Sequence, residues 1–142
     1  VQEETNPEAS LEYPQEATLD TGKPILLIVE DNEEIQKYIA ESFADSFEVL
    51  TAYNGEEGKQ QALSRIPDIV VSDIMMPVMN GYEAAKMIRS LDREDAKVIP
   101  IIAMTANAFN DDVQAAFDAG MNGHLAKPID VEVLYKTIAR YI

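Results

Sequence analysis

The run Ile25-Leu26-Leu27-Ile28-Val29 contains no polar residue and stops on two acids, Glu30 and Asp31. A strand apolar on both faces belongs inside a parallel sheet covered by helices. A second run, Ile69-Val70-Val71-Ser72, stops on another acid, Asp73. The chain from Pro24 onward alternates such runs with helical patterns, as α/β architecture requires.

Taken in order, the first strand is Pro24 to Glu30. A helix from about Asn32 to Asp45 follows, with Ile35, Ile39 and Phe43 as its apolar stripe and Glu33 and Glu34 in the first turn, where the helix dipole favours acids. Strand two is Phe47 to Ala52. Helix two follows Asn54-Gly55, reaches Arg65 and is stopped by Pro67. Strand three is Asp68 to Asp73. Helix three opens at Asn80-Gly81 and carries Ala84, Ala85, Met87, Ile88 and Leu91. Strand four runs from Pro100 to Met104 and ends at Thr105. Helix four spans about Asn107 to Ala119, with Gly120 as its C′ residue. Strand five is His124 to Ala126. Lys127-Pro128 turns into helix five, with Val131, Leu134, Ile138 and Tyr141 toward the sheet. Five strands and five helices in a doubly wound sheet of order 2-1-3-4-5 place strands one and three side by side at the switch point.

With 142 residues the chain has the length of one domain, which buries roughly 70% of its unfolded surface. Cysteine is absent, so disulfides and thiolate zinc sites are excluded. No apolar run is long enough to cross a membrane, and nothing at the N-terminus resembles a signal peptide. The chain begins at Val1, as expected of a piece of a longer protein. The net charge of −15 argues against direct nucleic-acid binding, which needs a basic face. Residues 1–22 hold six of the acids and no base, with Pro7, Pro14 and Gly22 and no sustained apolar period. They read as a flexible linker, or as an acidic docking arm, ahead of a domain over 23–142.

The sheet order brings Glu30, Asp31 and Asp73 to one edge. Three clustered carboxylates repel one another unless a cation sits among them. Magnesium suits them, being hard and at home with carboxylates, waters and a phosphate; Mn²⁺ is the substitute. A cation-bound aspartate can accept a phosphoryl group. Thr105 ends the neighbouring strand, and its hydroxyl either reaches a phosphoryl oxygen or merely caps the next helix. Lys127 either pairs with Asp73 or is a surface lysine. The Lys127-Pro128 bond is a candidate for the cis form. His124, the only histidine, can titrate near neutral pH or be a half-buried ring. GxGxxG, GxxxxGK[ST] and GxSxG are all absent.

Glu30-Asp31, Asp73, Thr105 and Lys127-Pro128 at successive strand ends, with Ile28-Val29-Glu30-Asp31-Asn32, Asp73 through Gly81 and Ala103-Met104-Thr105-Ala106, resemble the response-regulator receiver domain over about residues 24–142. The acidic leader and the residues around Asp73 resemble receivers of hybrid sensor histidine kinases. The resemblance implies a flavodoxin-like fold with Asp73 as phosphoacceptor. It implies Mg²⁺ held by Glu30, Asp31, Asp73 and the backbone carbonyl of Met75. Thr105 and Lys127 would assist the transfer, and Thr105 and His124 would form the switch, although the family more often has Tyr or Phe at the position of His124. The implied partner is a histidine kinase or histidine phosphotransfer domain. The implied output surface is helix four, strand five and helix five, which would also serve a homodimer. The implied setting is the cytoplasm, tethered to a membrane only through a parent kinase. The domain would catalyse its own phosphorylation and slow dephosphorylation rather than act as a conventional enzyme. Lys59 after Gly58 departs from the family's apolar preference and predicts a mobile helix two.

Two other readings share this sheet. A Mg²⁺-dependent phosphoaspartate phosphatase needs a second acid two residues after the nucleophile, where this chain has Met75. A flavodoxin-like cofactor binder needs a phosphate loop after strand one, where this chain has Glu30-Asp31-Asn32-Glu33-Glu34.

Overall fold

A computed structural model describes residues 22–75, 79–91, 93–106 and 110–142, with the backbone alone at 110–112. Residues 1–21 of the linker expected over 1–22, Met76-Pro77-Val78 of the Asp73 segment, and the expected helix start at Asn107 lie outside the described residues.

The strands are β1 (Ile25–Val29), β2 (Glu48–Ala52), β3 (Ile69–Asp73), β4 (Ile101–Thr105) and β5 (Gly123–Ala126). The helices are α1 (Glu33–Phe43), α2 (Gly55–Arg65), α3 (Gly81–Arg89), α4 (Glu94–Val98), α5 (Asn110–Asp118) and α6 (Val131–Ala139). All strand pairs are parallel, in the order β2-β1-β3-β4-β5. This is the expected doubly wound sheet.

Period-two alternation divides the core into two layers. Leu26, Ile28, Ile69, Val71, Ile102 and Met104 pack with Ile39 and Phe43 of α1 and Leu134 and Ile138 of α6. Leu27, Val29, Val70, Ile101 and Ala103 face Ala62, Ala85, Ile88, Ala96 and Ala116 from α2 to α5. Small residues dominate the helical side of that second layer, so its helices approach the sheet closely. Gly58 is the extreme case: a Cβ there would meet Val29 Cγ2 at 2.8 Å. The helix-propensity cost of this glycine, about 1 kcal/mol against Ala, is the cost of seating α2 on β1. Lys59 keeps its ammonium 3.3 Å from Glu56, and α2 forms over its full expected length.

Local chemistry sets the helix ends. Asn32 caps α1 by accepting from the N–H groups of Glu34 and Ile35. Asn80 and Glu83 close a reciprocal capping box on α3. Gly120, at φ 98°, closes α5 in a Schellman arrangement: Met121 N–H donates to Ala116 O and Gly120 N–H to Phe117 O. Ile66 ends α2 at φ 52°, in the left-handed region, because the following proline disfavours the right-handed helical conformation before it.

One expectation needs correction. The described residues hold six helices rather than five: α4 is an extra turn that buries Ala96 while Arg93 reaches back to the carbonyls of Leu63 and Ala62. Tyr141, although 36% exposed, lies against β5 as expected: its hydroxyl donates to Asn122 O at 3.0 Å, beside Gly123. Ile39 and Phe43 of the expected α1 stripe are buried, Ile35 is half-buried against the same core, and Gln36 joins them on that face.

Candidate functional site

The C-terminal strand ends deliver the site. β1 runs out into Glu30, fully buried, and Asp31, exposed. The adjacent β3 ends on Asp73, which is 4% exposed. Each of these three residues offers a carboxylate oxygen within 4.8 Å of the others. The structure thus brings together the acids that the sequence placed at one edge.

Lys127 follows β5, and its main chain is anchored by its N–H donating to Thr105 O at 2.7 Å. The Lys127-Pro128 peptide is cis. The Lys127 ammonium lies 3.1 Å from Asp73 Oδ2 and 3.1 Å from Glu30 Oε1. Asp73 Oδ1 accepts from Met75 N–H at 3.1 Å, and Glu30 Oε2 accepts from Asn32 N–H at 3.0 Å. The Met75 side chain is exposed. Asp73 therefore has one oxygen on a lysine and the other on a backbone amide.

Burial pushes the Glu30 carboxyl above its usual range, and the Asn32 N–H and the Lys127 ammonium only partly oppose it. For Lys127 burial works downward, but its contacts with Glu30 and Asp73 outweigh it and hold the ammonium above its ordinary value. The lysine stays charged. Three carboxylates against one ammonium leave an excess of two negative charges when all are ionised. Hard oxygen donors carrying that excess fit a small divalent cation such as Mg²⁺.

Thr105 is the last residue of β4, the strand next to β3. It is fully buried, and its Oγ1 has no hydrogen-bond partner among the described residues. His124 pairs with Ala103 in the sheet register. It therefore lies on the same face as Thr105, two residues further along β4. Its Nδ1 is likewise buried without a partner among the described residues.

Two supporting residues escaped sequence reasoning. Gly81 opens α3 so close to β3 that a Cβ would overlap Asp73 O and meet Ile74 Cα at 2.8 Å. Asn80-Gly81 was legible as a helix start, but not as a contact with Asp73. Gln36 lies buried behind Glu30. Its signal was a polar residue three positions before Ile39, on the apolar face.

The described residues contain no helix long and apolar enough to cross a membrane. The response regulator receiver domain family matches residues 26–139. Hybrid signal transduction histidine kinase D of Dictyostelium discoideum is 38% identical over 113 residues, 80% of this chain and 7% of that protein. Response regulator ArlR of Staphylococcus aureus is 33% identical over 114 residues, 80% of this chain and 50% of that protein. The chain thus spans half or less of each of these relatives. Among solved structures, chemotaxis response regulator CheY4 of Vibrio cholerae superposes with a TM-score of 0.79 at 31% identity, covering 84% of this chain and 99% of that one. The receiver domain of sensor histidine kinase PA1611 from Pseudomonas aeruginosa gives 0.76 at 32% identity, covering 84% and 97%, and it holds a magnesium ion in its active-site cleft. With the sheet order, the acid cluster and the match over nearly the whole domain in agreement, the chain belongs to the response regulator receiver domain family of two-component signalling.

Proposed function

We propose that Asp73 is the phosphoacceptor of this receiver and that Glu30, Asp31, Asp73 and the backbone carbonyl of Met75 hold Mg²⁺, with Mn²⁺ as a substitute. The observation that carries the reading is the position of Asp73: nearly buried at a strand end, in contact with Lys127, and within 4.8 Å of two further acids. An Asp73 carboxylate oxygen attacks the phosphorus of a phosphohistidine. The phosphorus–nitrogen bond breaks, and the electron pair leaves with the imidazole, which takes a proton from solvent. The work of the protein in such a transfer is positioning and charge neutralisation. Lys127, on Asp73 Oδ2 and Glu30 Oε1, is placed to offset charge on the arriving group. The cation, when bound, neutralises phosphoryl oxygens and lowers repulsion among the acids. The unpartnered Thr105 hydroxyl gains an acceptor in the new phosphoryl oxygen, and His124, on the same sheet face, turns into the space that Thr105 leaves. Two packings exchange populations through this step.

On this reading residues 23–142 form the receiver unit, and the donor is a histidine kinase or histidine phosphotransfer domain in the cytoplasm. The parent is a hybrid sensor kinase, as the similarity to kinase D supports. Phosphorylation acts on the surface of α5, β5 and α6, where Phe117 and Val133 are exposed, and this surface also serves a homodimer. The domain catalyses its own phosphorylation and slow dephosphorylation.

The test is incubation with Mg²⁺ and acetyl phosphate, followed by intact-mass measurement. The expected result is a gain of one phosphoryl group that Asp73→Asn abolishes. No gain, or a gain that survives the substitution, rejects the assignment.

A further inference from the structure

The carbonyl end of β1 is held by a side chain from α1. Glu30 N–H donates to Ala52 O at 3.0 Å, continuing the β1–β2 ladder by one residue. Gln36 Nε2 then donates both to Glu30 O at 3.2 Å and to Ala52 O at 2.9 Å. The two N–H bonds of the amide are matched by two carbonyls at the ends of adjacent strands. Both main-chain polar groups of Glu30 are thereby fixed, one by β2 and one by Gln36.

Gln36 is 5% exposed and shares the buried face of α1 with Ile39 and Phe43. For packing alone, an apolar residue of the same length would serve there without the cost of burying an amide. The amide meets that cost with bonds to the one residue, Glu30, from which the acid pair departs. Asp31 leaves the sheet immediately after the carbonyl that Gln36 holds, and Asn32 N–H then returns to Glu30 Oε2. The direction in which this short segment exits β1 decides whether two of its carboxylates reach Asp73.

We infer that Gln36 is a positioning residue for the acidic cluster: by clamping Glu30 O and Ala52 O it sets the path of Glu30-Asp31 and hence the spacing of the cation ligands. The inference rests on reading that cluster as a Mg²⁺ site. Partners behind metal ligands typically contribute 10- to 100-fold in affinity.

The experiment uses the full chain in two substitutions. Gln36→Met keeps length and apolar volume but has no donor. Gln36→Asn keeps the amide but is one methylene too short to span both carbonyls. Ile138→Val, in the core on the same sheet face and away from the acids, is the stability control. Mg²⁺ affinity is measured by calorimetric titration, and thermal midpoints are taken separately in EDTA. Both Gln36 variants are expected to weaken Mg²⁺ binding by about tenfold or more, whatever their midpoint, while Ile138→Val lowers the midpoint and keeps the wild-type affinity. If Gln36→Met does not fold, Gln36→Asn carries the comparison. Wild-type affinity in a folded Gln36 variant overturns the positioning role and leaves the site reading standing. Wild-type protein that takes up no Mg²⁺ overturns the site reading, and the inference with it.

Discussion

Lys127 Nζ lies 3.1 Å from Asp73 Oδ2 across 54 residues of sequence. The contact joins the end of β5 to the end of β3 over the intervening β4, so it reports the correct assembly of three strands. It also places an ammonium on the carboxylate that we propose as the phosphoacceptor.

Lys127→Met removes that charge and leaves the three acids in place. We expect phosphorylation of Asp73 by acetyl phosphate to slow by about 100-fold, the scale of losing one preorganised charge-stabilising donor. Mg²⁺ binding should persist. A time course of intact mass at saturating Mg²⁺ checks both statements, and an unchanged rate rejects the role given to Lys127.

Glu30 carries a linkage prediction. Its carboxyl is raised in the folded state, chiefly by burial. The folded protein therefore binds that proton more tightly than the unfolded chain. The resulting stability is present below the unfolded value and is lost as pH rises through the folded one. In EDTA, Glu30→Gln should melt a few degrees above wild type near pH 8, and the difference should shrink as pH falls through the carboxylate range. Thermal melts of both proteins across that range test the sign.

Divalent cation supplies the opposite arm of the same argument. Mg²⁺ at 100 times its dissociation constant should stabilise the wild-type fold by about 2.7 kcal/mol and leave Glu30→Gln with a much smaller gain. Equal stabilisation of the two proteins would falsify the ligand role of Glu30.

Gly81→Ala forces a methyl group onto Asp73 O and Ile74 Cα. Moving that backbone should cost about 1–3 kcal/mol, read by urea denaturation. Because the displaced atoms belong to Asp73 and Ile74, the phosphorylation rate should fall along with stability.

Ile66→Gly should act in the other direction. A β-branched residue at φ 52° sits in the left-handed region at a cost of roughly 1–2 kcal/mol. The site is exposed and distant from the acids, so we expect a gain of up to about 1 kcal/mol, once the extra chain entropy of glycine is counted, and an unaltered phosphorylation rate.

His124→Phe separates switching from chemistry. The ring shares a sheet face with Thr105 but touches none of the acids through a hydrogen bond or ion pair. Phosphorylation by acetyl phosphate should continue within about twofold, whereas affinity for the phosphodonor partner should change. Loss of phosphorylation would instead put His124 in the chemistry.

Much of the site was readable along the chain. Uninterrupted apolar runs announce strands buried on both faces, and a run that stops on an acid announces an acid at the edge of a sheet. Glu30, Asp31 and Asp73 were found that way, because period-two burial and the parallel connection rule leave few arrangements, whereas Thr105 and Lys127 stayed open between a site role and a cap or surface residue until the family resemblance placed them. Cap residues such as Asn32, Asn80 and Gly120 were equally local, since each bonds within one turn of itself.

What remained depended on how elements rotate and how closely they approach. The sequence put Ile39 and Phe43 on the buried face of α1, but only the packed structure shows that Gln36 on that face reaches the carbonyls of Glu30 and Ala52. Gly58 and Gly81 read as a weak helix residue and a helix start until Val29 and Asp73 stood against them. The short α4 had too few residues to show a period, and Ala96 is buried there by neighbours distant in sequence. The chain alone determined which side chains end the strands, because burial pattern is a property of each segment. The tertiary structure alone decided which of them meet and what holds them there, because helix rotation, close backbone approach and the contact of Lys127 with Asp73 exist only once the layers have packed.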